Sequence, residues 1–415
     1  MNAQNNFQDN LEIYESSLGK SLLNLWYLDP EATYLNHGSF GATPKVVLTA
    51  QQAWQQKLET QPVKFMSEDL GIALRQAAAE LANFVGTDPN NLVFVENATA
   101  GMNTVLRSLD FSSGDGILTT NHGYAAVQNA LLYTCERHNL NLIEAQVPFP
   151  IDSEDQVLEA IIQAHRKSQR ESKVKVKLLV IDHITSATAL IFPLKQLIDW
   201  AHCEGILVLV DGAHAPGAIP LNLQDLGADW YAGNCHKWLF AAKGCGFLAV
   251  LPQHQASIHP LVISHGFNSG YLAEFDWVGT RDCSSWLSIN TAIAFHQSFN
   301  QGQEGFLYSH NHQLVIEAAE ILSESWQQDL PAPESMLGTM VSIAVPQGIY
   351  ASLDSVSLHN LLWQKYKIEV PIIPFKDYLS DRLWLRISAQ IYNQLSEYKY
   401  LADSLLQIQA KSLTK

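Results

Sequence analysis

The sequence predicts an α/β protein: a large, mainly parallel sheet with helices on both faces, followed by a smaller α+β domain. Three observations carry this expectation. From Asn91 onward, short apolar runs alternate with amphipathic segments. The runs are Leu92–Val95, Gly116–Thr119, Leu142–Val147, Val176–Ile181, Ile206–Val210 and Phe247–Leu251, and helical patterns lie near residues 100–109, 124–137, 154–168 and 193–204. Strand–helix alternation at this spacing implies a buried, mostly parallel sheet. After about residue 285 the pattern loosens into a helix-rich stretch, a strand (Met340–Val345), a helix (Val356–Tyr366) and a strand (Arg382–Ser388). Finally, Leu11, Tyr14, Leu18, Leu22 and Leu25 recur at helical spacing, which predicts an N-terminal helical arm over residues 1–30 that packs with the smaller domain. The expected division is therefore 1–30, 31–275 and 276–415. Helical patterns also run from Pro44 to Phe84, interrupted around Gln61-Pro62.

Composition narrows the function classes. With 25 basic against 41 acidic residues the formal charge is −16, which argues against general attraction to nucleic acid or anionic lipid. The N-terminus has no basic start followed by an apolar core, and the longest apolar runs are strand-length, so neither a secretory signal nor a membrane span is expected. Five scattered cysteines without CxxC spacing suit reduced thiols in a cytoplasmic protein. His183, His202, His214 and His236 have no metal-ligand spacing, so no metal site is expected.

The chemistry concentrates in two stretches. Leu207-Val208-Leu209-Val210-Asp211-Gly212-Ala213-His214 places a carboxylate at the carboxyl end of a buried strand, where open α/β sheets bind ligands. Trp230-Tyr231-Ala232-Gly233-Asn234-Cys235-His236-Lys237-Trp238 places a lysine among apolar and small residues. Alone, the first is an ordinary helix cap or loop acid, and the second a surface lysine lying over a ring. Together they are one strand–helix–strand step apart, a separation that can bring an acid and an amine to opposite ends of a planar ring. Pyridoxal phosphate (PLP) needs such a pair, an Asp to keep the pyridine nitrogen protonated and a Lys to form the Schiff base. A third stretch, Val93 to Asn103, reads as a strand, a small-residue turn and a helix start. Its backbone N–H groups, with the Thr99 hydroxyl, suit an anion at a helix N-terminus, although a Thr-capped helix would look the same. No GxGxxG follows any of these strands, which counts against a dinucleotide.

The set Asn97-Ala-Thr-Ala-Gly101, Asp211-Gly-Ala-His214, His236-Lys237-Trp238 and Gly279-Thr280-Arg281-Asp282 resembles the class V aminotransferase family of PLP enzymes over roughly residues 34–395, nearest its isopenicillin N epimerase-like branch, relatives of cysteine desulfurases and C–S lyases. The resemblance implies a fold-type I architecture with a seven-stranded sheet and a homodimer with shared active sites. It implies Lys237 as the Schiff-base lysine, Asp211 on the pyridine nitrogen and His214 at the ring hydroxyl. Ala98, Thr99, Asn234 and His236 would hold the phosphate, and Thr280 would be donated to the partner's phosphate. Tyr124 would stack on the ring and assist proton transfer, with His122 as second choice. Arg386, in Trp384-Leu385-Arg386-Ile387-Ser388, would bind the substrate α-carboxylate, its alternative being a structural salt bridge. An arginine fork suits a carboxylate. Asn36 and His37 could help close the site, and Ser186 lies where cysteine desulfurases carry an Asn. Arg281 and Asp282 could reach substrate from the partner subunit or pair with each other.

One departure stands out. Cysteine desulfurases need a cysteine shortly before that arginine, and none occurs after Cys283. The expected activity is therefore an amino-acid epimerase or C–S lyase working through an external aldimine and Cα proton removal. Transamination, or a PLP-fold protein that binds without catalysing, are the alternatives.

Overall fold

The computed structural model describes residues 18–300, 305–376 and 381–412. Seven strands form the large sheet: β1 (Leu92–Val95), β2 (Gly116–Thr120), β3 (Asn141–Ala145), β4 (Val176–Asp182), β5 (Leu207–Gly212), β6 (Trp230–Asn234) and β7 (Gly246–Val250). Their spatial order is β1-β7-β6-β5-β4-β2-β3. Strands β2 to β6 pair in parallel, and β7 runs antiparallel to both β6 and β1. Successive residues of each strand face opposite sides. Leu179, Ile181, Val208 and Val210 enter one apolar core, and Leu178, Val180 and Leu209 enter the other. Burial on both faces explains why these strands read as continuous apolar runs. Only the edge strand β3 carries exposed side chains along its length.

Helices α1 (Lys45–Thr60), α2 (Leu70–Val85), α3 (Ala98–Ser108), α4 (Ala125–His138), α5 (Asp155–Ser172) and α6 (Leu194–Cys203) belong to this larger part, and α7 (Ile289–Ser298) packs on α1 and α2. The smaller sheet is antiparallel, in the order β9 (Ile372–Lys376), β10 (Asp381–Ser388), β8 (Met340–Ala344). It is accompanied by α8 (Phe306–Trp326), α9 (Ser355–Tyr366) and α10 (Leu395–Ser412).

Three expectations need correction. The strand–helix–strand step from Asp211 to Lys237 ends on β6, whose Gly233 and Asn234 keep it out of the apolar runs, but its helix is only a single turn, Leu223–Leu226. The boundary at 275/276 is too early. Trp286 stacks on Phe94 of β1 and donates to Gly244 O, and the His296 ring bonds Gly217 O, so residues 284–298 lie with the larger sheet. Of the arm, residues 1–17 lie outside the described residues. The remainder forms a 3₁₀ helix, Gly19–Leu25, and Leu22 and Trp26 bury against Phe240, Phe295, Phe299, Ile391 and Tyr392, bridging both parts rather than packing with the smaller one alone. All five cysteines are free thiols. Among the described residues no helix is long and apolar enough to cross a membrane, and no group of three or more His, Cys, Asp or Glu could hold a metal.

Candidate active site

The carboxyl ends of β4, β5 and β6 meet where Asp182, Asp211 and Ala232 stand in register across three parallel strands. Lys237 follows three residues after β6. Its backbone is clamped by the N-terminal turn: the His37 Nε2 bonds Lys237 O at 3.0 Å, while Nδ1 bonds the Tyr392 hydroxyl at 2.7 Å. Gly41 sits at φ +70°, and a Cβ there would lie 2.2 Å from His236 O, so only glycine lets the turn approach the lysine segment this closely.

The electrostatics are those of a buried amine among acids and another cation. The Lys237 Nζ lies 3.1 Å from His214 Nε2. Burial, then the Arg386 charge, bring the amine down from 10.5 to about 7, against the opposing pull of Asp211 and Asp182. His214 is held well below the usual imidazole range by burial and by Lys237, so its ring is neutral. Its Nδ1 is buried without a hydrogen-bond partner. Asp211 accepts the Ala213 N–H at 3.0 Å, and burial raises its carboxyl. His236 is half-buried, bonded to Cys245 O through Nδ1, and lowered to about 4, burial being the larger cause and Lys237 the next.

At the start of α3, Asn97 caps the helix by accepting the Ala100 N–H at 2.9 Å. The Ala98 N–H donates to Asn234 Oδ1 at 2.8 Å, tying the end of β6 to this helix. That bond uses the Ala98 donor expected to hold phosphate, and the oxygen of Asn234 with it. Thr99 remains half-buried, and among the described residues nothing accepts from its N–H or hydroxyl. The second N–H of a helix has no partner within the helix itself.

On the smaller sheet, Arg386 is 3% exposed. It donates to Ser186 O, lies 3.4 Å from Ser186 Oγ, and donates to Ser39 Oγ at 3.0 Å, while its Nε is buried and unpartnered. No described acid pairs with it, which removes the structural salt bridge as its explanation. Burial lowers its guanidinium to about 10. Asn36 acts behind Ser39: it accepts the Ser39 hydroxyl and donates to Glu369 at 2.9 Å. Asn36 is thus bonded to Ser39 and Glu369, and both ring nitrogens of His37 to Tyr392 and Lys237.

Tyr124 precedes α4, is 45% exposed, and its hydroxyl is close enough to Arg386 to influence its charge. His122 is spent elsewhere. Its nitrogens bond Thr188 Oγ1 at 2.6 Å and Val147 O at 3.1 Å, and its ring packs among Phe149, Phe192 and Phe375. Thr280 is exposed. Arg281 pairs with Glu96 and lies over the Trp286 ring at 3.9 Å, whereas Asp282 accepts from Gln55 and Ser284, so these two neighbours do not pair with each other. Ser39, Tyr392 and Asp182 were missed by sequence reasoning. Only Asp182 carried a signal, the same strand-end position that singled out Asp211.

A buried amine, an acid one strand away, an orphaned imidazole nitrogen and an open helix N-terminus define a site built for a ring bearing a basic nitrogen and an anionic group. The model of the family "Aminotransferase class-V" matches residues 31–401. L-cysteine desulfhydrase of Arabidopsis thaliana is 28% identical, covering 92% of this chain and 88% of its own length. Isopenicillin N epimerase of Streptomyces clavuligerus is 28% identical, covering 94% and 97%. The apo structure of cysteine desulfurase from Thermococcus onnurineus NA1 superposes with a TM-score of 0.77 at 20% identity, covering 96% and 99%, and shares the fold. The chain belongs to the class V aminotransferase family and is a pyridoxal-phosphate-dependent enzyme of fold type I. Its residues fit that cofactor: the buried His214 Nδ1 has no partner of its own to lose, and the half-buried Thr99 stands at the start of α3.

Proposed function

We propose that the chain is an amino-acid β-C–S lyase acting on cysteine or a close relative. The observation that carries the amino-acid reading is Arg386: a buried guanidinium that no described acid pairs with offers its fork to an α-carboxylate. Lys237 attaches the cofactor and, once substrate displaces it, takes the Cα proton; an amine near pH 7 can do both at neutral pH. Asp211 holds the pyridine nitrogen, His214 the ring hydroxyl, and Thr99 with His236 the phosphate. Tyr124 covers the ring. When bound, PLP withdraws electrons from Cα. Loss of sulfide and hydrolysis then convert cysteine and water to pyruvate, ammonia and hydrogen sulfide. The absence of any cysteine after Cys283 favours release of free sulfide over a protein-bound persulfide.

The protein works as a homodimer in the cytoplasm, with Thr280 and Arg281 at the shared interface. The exposed apolar run of Leu261, Val262, Ile263 and Phe267 supports a covered surface on this chain. Incubating the purified enzyme with L-cysteine and a panel of L-amino acids, while following sulfide, pyruvate and α-hydrogen exchange, tests the reading. Sulfide and pyruvate in equal amounts are expected. Exchange with inversion and no pyruvate would replace the lyase with an epimerase. Light scattering should give about twice the 46.2 kDa chain mass, and an active monomer would remove the shared sites. Fractionation of the source cells tests the compartment.

A further inference from the structure

The buried guanidinium of Arg386 is held by two segments outside its own sheet. Its Nη1 donates to Ser186 O, beyond β4, and its Nη2 to Ser39 Oγ at 3.0 Å, in the N-terminal turn. Two anchors fix both the place and the tilt of a planar group, whereas one leaves it free to swing. Behind Ser39 runs a chain of hydrogen bonds that ends on an acid. The Ser39 hydroxyl donates to Asn36 Oδ1 at 2.5 Å, and Asn36 Nδ2 donates to Glu369 Oε1 at 2.9 Å. We propose that Ser39 and Glu369 are positioning residues that aim the Arg386 fork at the substrate α-carboxylate. Glu369 fixes the direction of the chain, and Ser39 makes its contact with the guanidinium.

The direction follows from what each group can donate. An ionised carboxylate only accepts, so Glu369 draws the amide nitrogen of Asn36 and turns Oδ1 toward Ser39. That oxygen takes the single hydroxyl proton of Ser39, which leaves only lone pairs on Oγ for the guanidinium. With the amide reversed, its nitrogen would compete with Arg386 for those lone pairs. The chain is anchored at both ends. Thr33–Tyr34 pair in parallel with Ile368–Glu369, and the Leu35 N–H donates to Glu369 O at 3.0 Å. Asn36 is 8% exposed, and the Glu369 carboxylate also meets His359 Nε2 at 3.3 Å. The Gly38 N–H donates to Ser388 Oγ at 3.1 Å, on the same strand as Arg386. Because His37 of this turn also holds Lys237 O, residues 36–41 set the span between the amine and the guanidinium. The Nε–H of Arg386, which has no partner among the described residues, is left for the carboxylate.

The proposal rests on the reading of Arg386 as the carboxylate-binding residue, and the test keeps the two apart. Glycine and methylamine differ only by the carboxylate. Each is titrated into the PLP-loaded enzyme, and its dissociation constant is read from the change in cofactor absorbance. Ser39→Ala should weaken glycine binding by about tenfold and Glu369→Leu by about threefold to tenfold, while methylamine stays within about twofold of wild type. Glu369→Gln keeps an acceptor oxygen for Asn36 and should recover most of the affinity for glycine. A merely structural role would weaken both amines alike. Without the cofactor, a crystal structure of the apo Ser39→Ala chain should show the guanidinium turned from its wild-type place while it keeps Ser186 O. Equal effects on the two amines, a Glu369→Gln variant as impaired as Glu369→Leu, or an unmoved guanidinium would overturn the proposal. Arg386→Ala is the control: glycine binding left intact there would remove the carboxylate assignment itself, and the proposal with it.

Discussion

Asp211 and Asp229 are both buried acids at the ends of neighbouring strands of one sheet, and they are treated in opposite ways. Asp229, just before β6, sits where the parallel strands begin. It accepts the Val208 N–H at 2.8 Å, His202 at 3.0 Å and His254 at 2.7 Å, so both oxygens are satisfied within the chain. Asp211, where the strands end, has one backbone donor and faces a second carboxylate. The cations divide likewise. At the closed end Arg75 pairs with Asp276, whereas at the open end no described acid pairs with Arg386 and Lys237 is stripped of part of its proton affinity. A fold that satisfies its polar groups at one end and leaves them open at the other is displaying its binding end.

This contrast can be broken by substitution. Lys237→Ala should abolish turnover, a loss on the order of 10⁴-fold or more, and remove the absorbance of the attached cofactor, although PLP could still bind noncovalently. Retained activity would place the chemistry elsewhere. Arg386→Ala should lower kcat/KM by about 100-fold, mainly through KM, and Arg386→Lys should recover little, because an ammonium cannot reproduce the fork. Unchanged KM for amino acids in steady-state kinetics would remove the carboxylate assignment.

The open end should also leave a signature in the stability of the apo chain. Between about pH 7 and 10.5 the unfolded chain holds a proton on Lys237 that the folded chain has released, so stability rises with pH across that window. Lys237→Met should flatten the rise, by about 2–4 kcal/mol in denaturant titrations at the two ends of the window. An unaltered pH slope would mean that the lysine is not titrating as its burial demands. At the closed end, Asp229→Asn should cost about 1–3 kcal/mol of stability by weakening three hydrogen bonds, while cofactor affinity stays the same. A loss of cofactor affinity there would erase the distinction between the two ends.

Much of this was legible in the sequence, for physical reasons. Doubly buried strands write continuous apolar runs, and strand-end positions make Asp211 and Lys237 readable as a pair. β6 escaped because its glycine and asparagine, which make room for the site, dilute its apolar pattern. Asn36, His37, Ala98 and Asn234 were recognised as belonging to the site, but their hydrogen bonds turned out to be internal. Which partner a polar group takes depends on contacts distant in sequence, as between His37 and Tyr392, and no local pattern encodes them. The His122 imidazole is likewise held by Thr188 and Val147, contacts that no local pattern encodes.

The central claim is that Lys237 is the amine that carries the cofactor. Reducing the PLP-loaded enzyme with borohydride, digesting it and mapping the pyridoxyl adduct by mass spectrometry tests it most directly. The adduct should fall on the peptide containing His236-Lys237-Trp238, in a ratio of one per chain. An adduct on Lys243, or on any other lysine, would contradict the account.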